Sequence, residues 1–297
     1  MGSMISGSVS LCVDQFAMLD IELVKAVSMF RSQRWRFLRN TLQTLFRRWS
    51  VKPAHDALQA VRGQRVLVLG IYLGDRFNLA AHLYERFMQS SALMVDQRWA
   101  AFSRKDAHPG LAAATTLLLS SPLNKFAVLN LLLEGVDLAQ YDLLIVSDDD
   151  VFVPDGFLDT YVSVQHALNL DLAQPARAIH SFYDHRFTLR RPWLSGRLTR
   201  FVEIGPIFSM TPAAFERLVP FDIGSPMGWG LDLVWPKLME DGRLGIVDRV
   251  SVDHSYRGQS MTYARETTVA RTKDYLAGTP HVPFAQALVV LRQYFLF

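Results

Sequence analysis

The chain has 297 residues, 50% of them apolar and 20% charged, which excludes a disordered or fibrous protein and allows a substantial buried core. Cys12 is the single cysteine, so a disulfide framework is ruled out and packing must supply stability. The net charge of +3 is unevenly spread: Lys25 to Lys52 hold eight Lys or Arg and no Asp or Glu, which leaves the remainder of the chain net acidic.

No apolar run approaches the roughly 18 residues of a membrane span, and no leader with a cleavage site opens the chain, so a cytoplasmic location is expected. Residues 1–60 read as a basic helical extension. Within it Trp35, Leu38, Leu42, Leu45 and Trp49 recur at three- and four-residue steps and form one apolar stripe, from which Arg36 and Arg47 point away. Such a helix can lie on the inner face of a membrane with its arginines near anionic lipid, or pack on the main domain with a solvated basic face. Nucleic acid is not expected as a partner, because no binding motif accompanies the charge.

From Arg65 short apolar runs alternate with helical segments over residues 61–280, the signature of an α/β domain. Val66 to Gly70 reads as a strand covered on both faces. It continues as Gly70-Ile71-Tyr72-Leu73-Gly74, which matches neither a dinucleotide fingerprint nor a Walker A loop, yet it puts Gly70 and Tyr72 at a strand end as candidate nucleotide-binding positions. A helix over about 77–89 precedes a second strand, Ala92 to Val95, with Asp96, Gln97 and Arg98 expected at its carboxyl end. Ligands of open α/β sheets gather at such ends, so Asp96 and Arg98 join the candidates.

After a helix from about Leu123 to Glu134 comes Tyr141-Asp142-Leu143-Leu144-Ile145-Val146-Ser147-Asp148-Asp149-Asp150. Four apolar residues build a buried strand, and three successive carboxylates follow at its carboxyl end. Their mutual repulsion calls for a cation or hydrogen-bond donors. On an extended backbone Asp148 and Asp150 share one face and can hold a hard divalent cation through oxygen, while Asp149 points the other way. An EF-hand is excluded, since Phe152 stands where an oxygen ligand is required. Strand-like sequence from Leu244 ends in His254, a candidate third ligand whose imidazole would favour Mn2+ over Mg2+.

Between them, Phe201 to Met210 reads as an apolar strand and Thr211-Pro212 as a helix start. In Gly228-Trp229-Gly230-Leu231-Asp232 the glycines permit a tight turn that presents the Trp229 indole as a stacking wall. Asp232 opens the next helix and is the candidate general base. The loop Ser181 to Trp193, with Arg190 and Arg191, is polar enough to close over a phosphate-bearing ligand. Residues 281–297 are expected to form a C-terminal apolar helix, with Phe284, Leu288, Leu291 and Phe295 at helical spacing. The two terminal stripes could pack together, form a dimer surface or share a membrane-facing patch.

Taken in order, Asp148-Asp149-Asp150, Gln174-Pro175-Ala176, Gly228-Trp229-Gly230-Leu231-Asp232 and Gly245-Ile246-Val247-Asp248 resemble glycosyltransferases of the GT-A fold, over roughly residues 65 to 260, and more narrowly a GT-A-related domain family with plant and bacterial members. The resemblance implies a single Rossmann-like mixed-sheet domain, a nucleotide-diphosphate sugar donor and a carbohydrate or lipid-linked hydroxyl acceptor. It implies Mn2+ or Mg2+ on Asp148 and Asp150, completed by His254. Lys125 and Asp96 would contact the nucleotide, and Asp232 would deprotonate the acceptor in an inverting reaction. Inverting members often carry Glu-Asp at that point, where this chain has Leu231-Asp232. A nucleotidyltransferase and a catalytically silent membrane-surface scaffold are the rival readings.

Overall fold

The computed structural model describes residues 55–104, 106–121, 123–257 and 265–295. The basic segment Lys25 to Lys52, with its apolar stripe from Trp35 to Trp49, lies outside the described residues. In chain order the strands are β1 (Arg65–Leu73), β2 (Met94–Phe102), β3 (Thr115–Leu119), β4 (Leu143–Ser147), β5 (Leu172–Arg177), β6 (Leu194–Thr199), β7 (Ile207–Met210), β8 (Leu244–Val252) and β9 (Val290–Phe295). The helices are α1 (His55–Ala60), α2 (Ala80–Met88), α3 (Lys125–Leu133), α4 (Phe157–Ala167), α5 (Pro212–Leu218), α6 (Leu231–Leu238), α7 (Arg265–Gly278) and the single turn α8 (Phe284–Ala287).

All nine strands form one sheet in the order β3-β2-β1-β4-β7-β5-β8-β6-β9. β1 is parallel to both β2 and β4, whereas β7 lies antiparallel between β4 and β5. Along β1 successive side chains alternate between two cores: Val66 and Val68 pack with Leu83, Phe87 and Tyr161 on one face, Leu67 and Leu69 with Phe126, Leu129 and Trp235 on the other. β4 alternates likewise, with Leu143 and Ile145 on the first face and Leu144 and Val146 on the second. Burial on both faces is why these strands read as unbroken apolar runs. Strand order reverses between β1 and β4, so their carboxyl ends, Leu73 and Ser147, border the crevice where such sheets bind ligands.

Two expectations are corrected. The second strand runs from Met94 to Phe102, not from Ala92 to Val95, because the apolar Trp99-Ala100-Ala101-Phe102 extends its pairing with β1. The C-terminal helix is replaced by the turn α8 and the strand β9, which pairs antiparallel with β6. There Tyr294 faces the core and accepts a hydrogen bond from Arg243 Nη2 at 2.7 Å, while Leu291 and Phe295 are exposed. The open edge of β6 instead offers Val290–Phe295 backbone partners along one side, which makes β9 the last strand of the sheet. No helix among the described residues is long and apolar enough to cross a membrane.

Gly70 lies inside β1, and a Cβ there would fall within the Trp99 indole, which is fully buried. Its role is close packing. Gly70→Ala is therefore expected to destabilise the protein by about 1–3 kcal/mol through overpacking, measured as a lowered urea midpoint with an unchanged slope.

Candidate functional site

A cavity of about 1250 Å³ opens at the carboxyl ends of β1, β2 and β4 and is also lined by the turn before α6 and by Thr267, Thr268 and Arg271 of α7. The chain leaves β4 at Ser147, so the acidic triplet occupies a turn, not an extended strand. Each carboxylate has its own partner. Asp148 Oδ1 lies 2.6 Å from Lys125 Nζ, which also donates to the Ile204 carbonyl at 2.9 Å. Lys125 is the first residue of α3, whose N-cap Asn124 accepts from Phe126 N and donates to the Ser225 carbonyl at 2.9 Å. Gly205 gives Asp148 its room, since a Cβ there would stand 2.7 Å from Asp148 Oδ2.

Asp149 is 3% exposed and clips β4 to β1 by accepting from Leu73 N at 2.8 Å. It also takes both terminal nitrogens of Arg257, Nη2 to Oδ1 at 2.6 Å and Nη1 to Oδ2 at 3.1 Å. Burial pushes its carboxyl above the usual range, against the pull of Arg257 and the Leu73 amide. Asp150 behaves oppositely: burial raises it too, but the hydrogen bond and charge of His254, with Arg257, hold it below the ordinary carboxylate value. The Arg257 Nη2 reaches Asp150 Oδ2 at 3.2 Å, so one guanidinium bridges two of the three acids.

His254 Nε2 lies 2.9 Å from Asp150 Oδ1 and its Nδ1 lies 3.0 Å from Arg177 Nη1. A guanidinium only donates, so Nδ1 accepts and the Nε2 proton is directed at Asp150. Arg177, 4% exposed, is anchored in turn by Nε and Nη2 to Glu203 Oε2 at 3.0 and 2.8 Å and by Nη2 to the Gly205 carbonyl. Gln174 Oε1 fixes this stretch by accepting from Glu203 N at 2.5 Å. Neither Arg177 nor Glu203 is marked by a sequence pattern. Arg177 closes an apolar run, and Glu203 sits in Phe201–Gly205, which is coil, not the strand that its apolar neighbours predict.

In the turn before α6, Gly228 and Gly230 adopt φ +78° and +93°, and a Cβ at Gly228 would collide with the Phe126 ring. Both glycines are thus required, and the turn sets Trp229 against the cavity. Asp232, in the first turn of α6, lines the same cavity. Burial, and after it the Glu203 charge, push its carboxyl up to about 7, while the backbone amides of the helix start act the other way.

Lys125, Asp148, Asp149, Asp150, Trp229, Asp232 and His254 therefore meet in one cavity. The structure does not bring Gly70, Tyr72, Asp96 or Arg98 there. Tyr72 is fully buried, its hydroxyl 3.1 Å from Thr115 Oγ1. Asp96 stands near the amino end of β2, paired with Arg65 at 2.8 Å and with Tyr141 Oη at 3.0 Å. Arg98 points to the Glu134 carbonyl at 3.4 Å. The longer β2 moves the ligand-facing end to Phe102, Ser103 and Arg104, which do line the cavity, beside Asp75 and Arg76 after β1. Neither Arg190 nor Arg191 lines the cavity: the Arg190 guanidinium donates to the Asp248 and Arg249 carbonyls, and the Arg191 backbone amide donates to Asp248 Oδ1.

Among solved structures the chain is similar to GalNAc-T7 with UDP, GalNAc and Mn2+, at 11% identity over 71% of this chain and 47% of that chain, with a TM-score of 0.50. It is similar to a mycobacterial protein at 14% identity over 82% of this chain and 89% of that one, again with a TM-score of 0.50. The chain thus spans about half the length of the GalNAc-T7 structure. At these identities the likeness is one of fold, and the fold is GT-A-like. No family model matches the chain, and no curated protein sequence matches it.

Raising the Asp232 carboxyl from 3.8 to about 7 means that the folded protein binds a proton which the unfolded chain has released. Its contribution to stability is therefore lost as pH climbs from about 4 to about 7 and is flat above. Asp232→Asn should be more stable than wild type at pH 8, with the gap narrowing as pH is lowered from 7 to 5, measured by chemical denaturation across that range.

Proposed function

We propose that the protein transfers a sugar from a nucleotide-diphosphate sugar to a hydroxyl acceptor with inversion at the anomeric carbon. The observation that carries this reading is the convergence, in one cavity at the switch point of the sheet, of an acidic triplet and a carboxyl held near neutrality. The GT-A-like fold and the UDP, GalNAc and Mn2+ of GalNAc-T7 support it.

Asp148 and Asp150 offer hard oxygen donors of the kind Mn2+ or Mg2+ takes, while among the described residues no cluster of three or more acidic or histidine side chains is preformed as a metal cage. Asp148 and Asp150 offer carboxylate oxygens to one cavity, and the carboxylates already gather cationic side chains there. Asp148 and Asp150 would hold the ion. Bound there, it supplies Lewis-acid stabilisation of the diphosphate leaving group. As placed, His254 serves as the partner that orients Asp150, because Arg177 occupies its Nδ1 and leaves the Nε2 proton for the carboxylate.

The remaining roles fall to the chain's own groups. Lys125, beside Asp148, faces the negative charge of the diphosphate. Trp229 offers an aromatic wall against which a sugar ring can lie. Asp232 accepts the proton of the acceptor hydroxyl as its oxygen attacks the anomeric carbon and the bond to the diphosphate breaks. A carboxyl near 7 suits a base working at neutral pH, and such a base contributes about 10²- to 10⁴-fold. The basic segment from Lys25 to Lys52, with its apolar stripe, makes a lipid-linked acceptor at a membrane surface part of this reading.

The test is a panel of UDP- and GDP-sugars assayed for transfer and hydrolysis with and without Mn2+. Asp150→Ala should lose cation-dependent donor binding. Asp232→Asn should keep donor binding and lose at least 100-fold in turnover, an order set by general-base catalysis, and wild-type turnover should rise with pH through about 7. Full turnover by Asp232→Asn would remove the base assignment, and donor affinity indifferent to Asp150→Ala would remove the cation assignment.

A further inference from the structure

The acidic triplet already holds a cation from the chain itself. Arg257 follows β8, lines the cavity and spans Asp149 and Asp150 with its two terminal nitrogens; Nη1 also donates to the Phe77 carbonyl at 3.2 Å. A buried structural pair elsewhere in the fold gives the comparison. Arg197 and Asp248 are both fully buried, and Arg197 satisfies every nitrogen, through Nε and Nη2 to Asp248, Nη1 to the Phe187 carbonyl and Nη2 to the Leu189 carbonyl. Arg257 grips Asp149 in the same bidentate way, at 2.6 and 3.1 Å, but differs in the rest of its surroundings. Its side chain is 18% exposed, its grip on Asp150 is a single 3.2 Å contact, and its Nε is buried with no acceptor among the described residues. An arginine that leaves a buried donor unsatisfied is held less firmly than its charge partners alone imply.

We propose that Arg257 is an exchangeable counter-ion of the triplet, competing with the divalent cation for Asp150 and giving way when the cation arrives together with a diphosphate. This rests on the reading of Asp148 and Asp150 as the cation's ligands. Two positive charges cannot share Asp150 without cost, and Lys125 and Arg177 already crowd the same wall. A divalent cation alone must therefore loosen the guanidinium and leave it beside other cations. A diphosphate removes that penalty by presenting acceptors for the released charge. Cation and diphosphate thus bind with positive coupling, and the coupling acts equally on both.

The experiment is a Mn2+ titration of the full chain followed by electron paramagnetic resonance, alone and with saturating UDP or GDP, on wild type, Arg257→Gln, Arg257→Lys and Asp150→Ala. Arg257→Gln should bind Mn2+ alone about ten-fold tighter than wild type, equivalent to about 1.4 kcal/mol, and should gain less from added diphosphate. Arg257→Lys keeps a charge for the buried Asp149 but lacks the fork that spans two carboxylates, so it should fall between them. It decides the matter should Arg257→Gln fail to fold. Mn2+ affinity in the folded variants equal to or weaker than wild type overturns the proposal, even where Asp150→Ala abolishes binding. Wild-type protein that binds no Mn2+ with either diphosphate overturns the proposal together with the functional reading beneath it.

Discussion

Three carboxylates in succession at the end of a doubly buried strand repel one another, two of them buried and one partly exposed, and the layout of the cavity follows from how that repulsion is met. Lys125 is placed for Asp148 by the capped start of α3, His254 for Asp150 by the end of β8, and Arg257 for Asp149 by the turn that follows. The neutralising groups come from distant parts of the chain, so the triplet pins α3 and the segment after β8 against the carboxyl ends of β1 and β4. The strand-order reversal between β1 and β4 supplies the opening, and the triplet fills its rim.

Asp150 and Asp232, both lining the cavity, are linked through a chain of polar and charge contacts. Asp150 is oriented by His254, His254 by Arg177, and Arg177 by Glu203, whose charge adds to the burial that raises the Asp232 carboxyl. Glu203 accordingly does two things at once: it holds the arginine that fixes the His254 tautomer, and it helps keep a proton on Asp232 up to about neutral pH. The acid that would bind a cation and the acid that would take a proton thus share one scaffold, with their affinities for protons pushed in opposite directions. On the proposed reading that difference separates the roles: Asp150 stays charged for a cation, and Asp232 titrates where a base is needed.

What the sequence disclosed was what local chemistry alone determines. Unbroken apolar runs at β1 and β4 follow from burial on both faces, and three adjacent acids stand out because no core tolerates them unpaired. Gly228 and Gly230 were legible because their backbone angles demand glycine, and Asp232 because it opens a helix. Asp96 and Arg98 were misplaced because polar residues early in β2 resemble a strand end, while only sheet pairing reveals that the strand continues to Phe102. Gly70 and Tyr72 looked like ligand positions, yet packing against Trp99 and Thr115 accounts for both. The stripe of Phe284, Leu288, Leu291 and Phe295 has helical spacing, but the vacant edge of β6 decides its structure. Arg177 and Glu203 carry no local signature, since their importance arises only when residues 26 positions apart meet.

The most direct measurement is an anomalous-difference map from crystals grown with Mn2+ and a nucleoside diphosphate. The account predicts a manganese peak within coordination distance of Asp148 and Asp150, with the diphosphate against it and Arg257 withdrawn from Asp150. Manganese bound elsewhere, with the guanidinium still spanning Asp149 and Asp150, would contradict it.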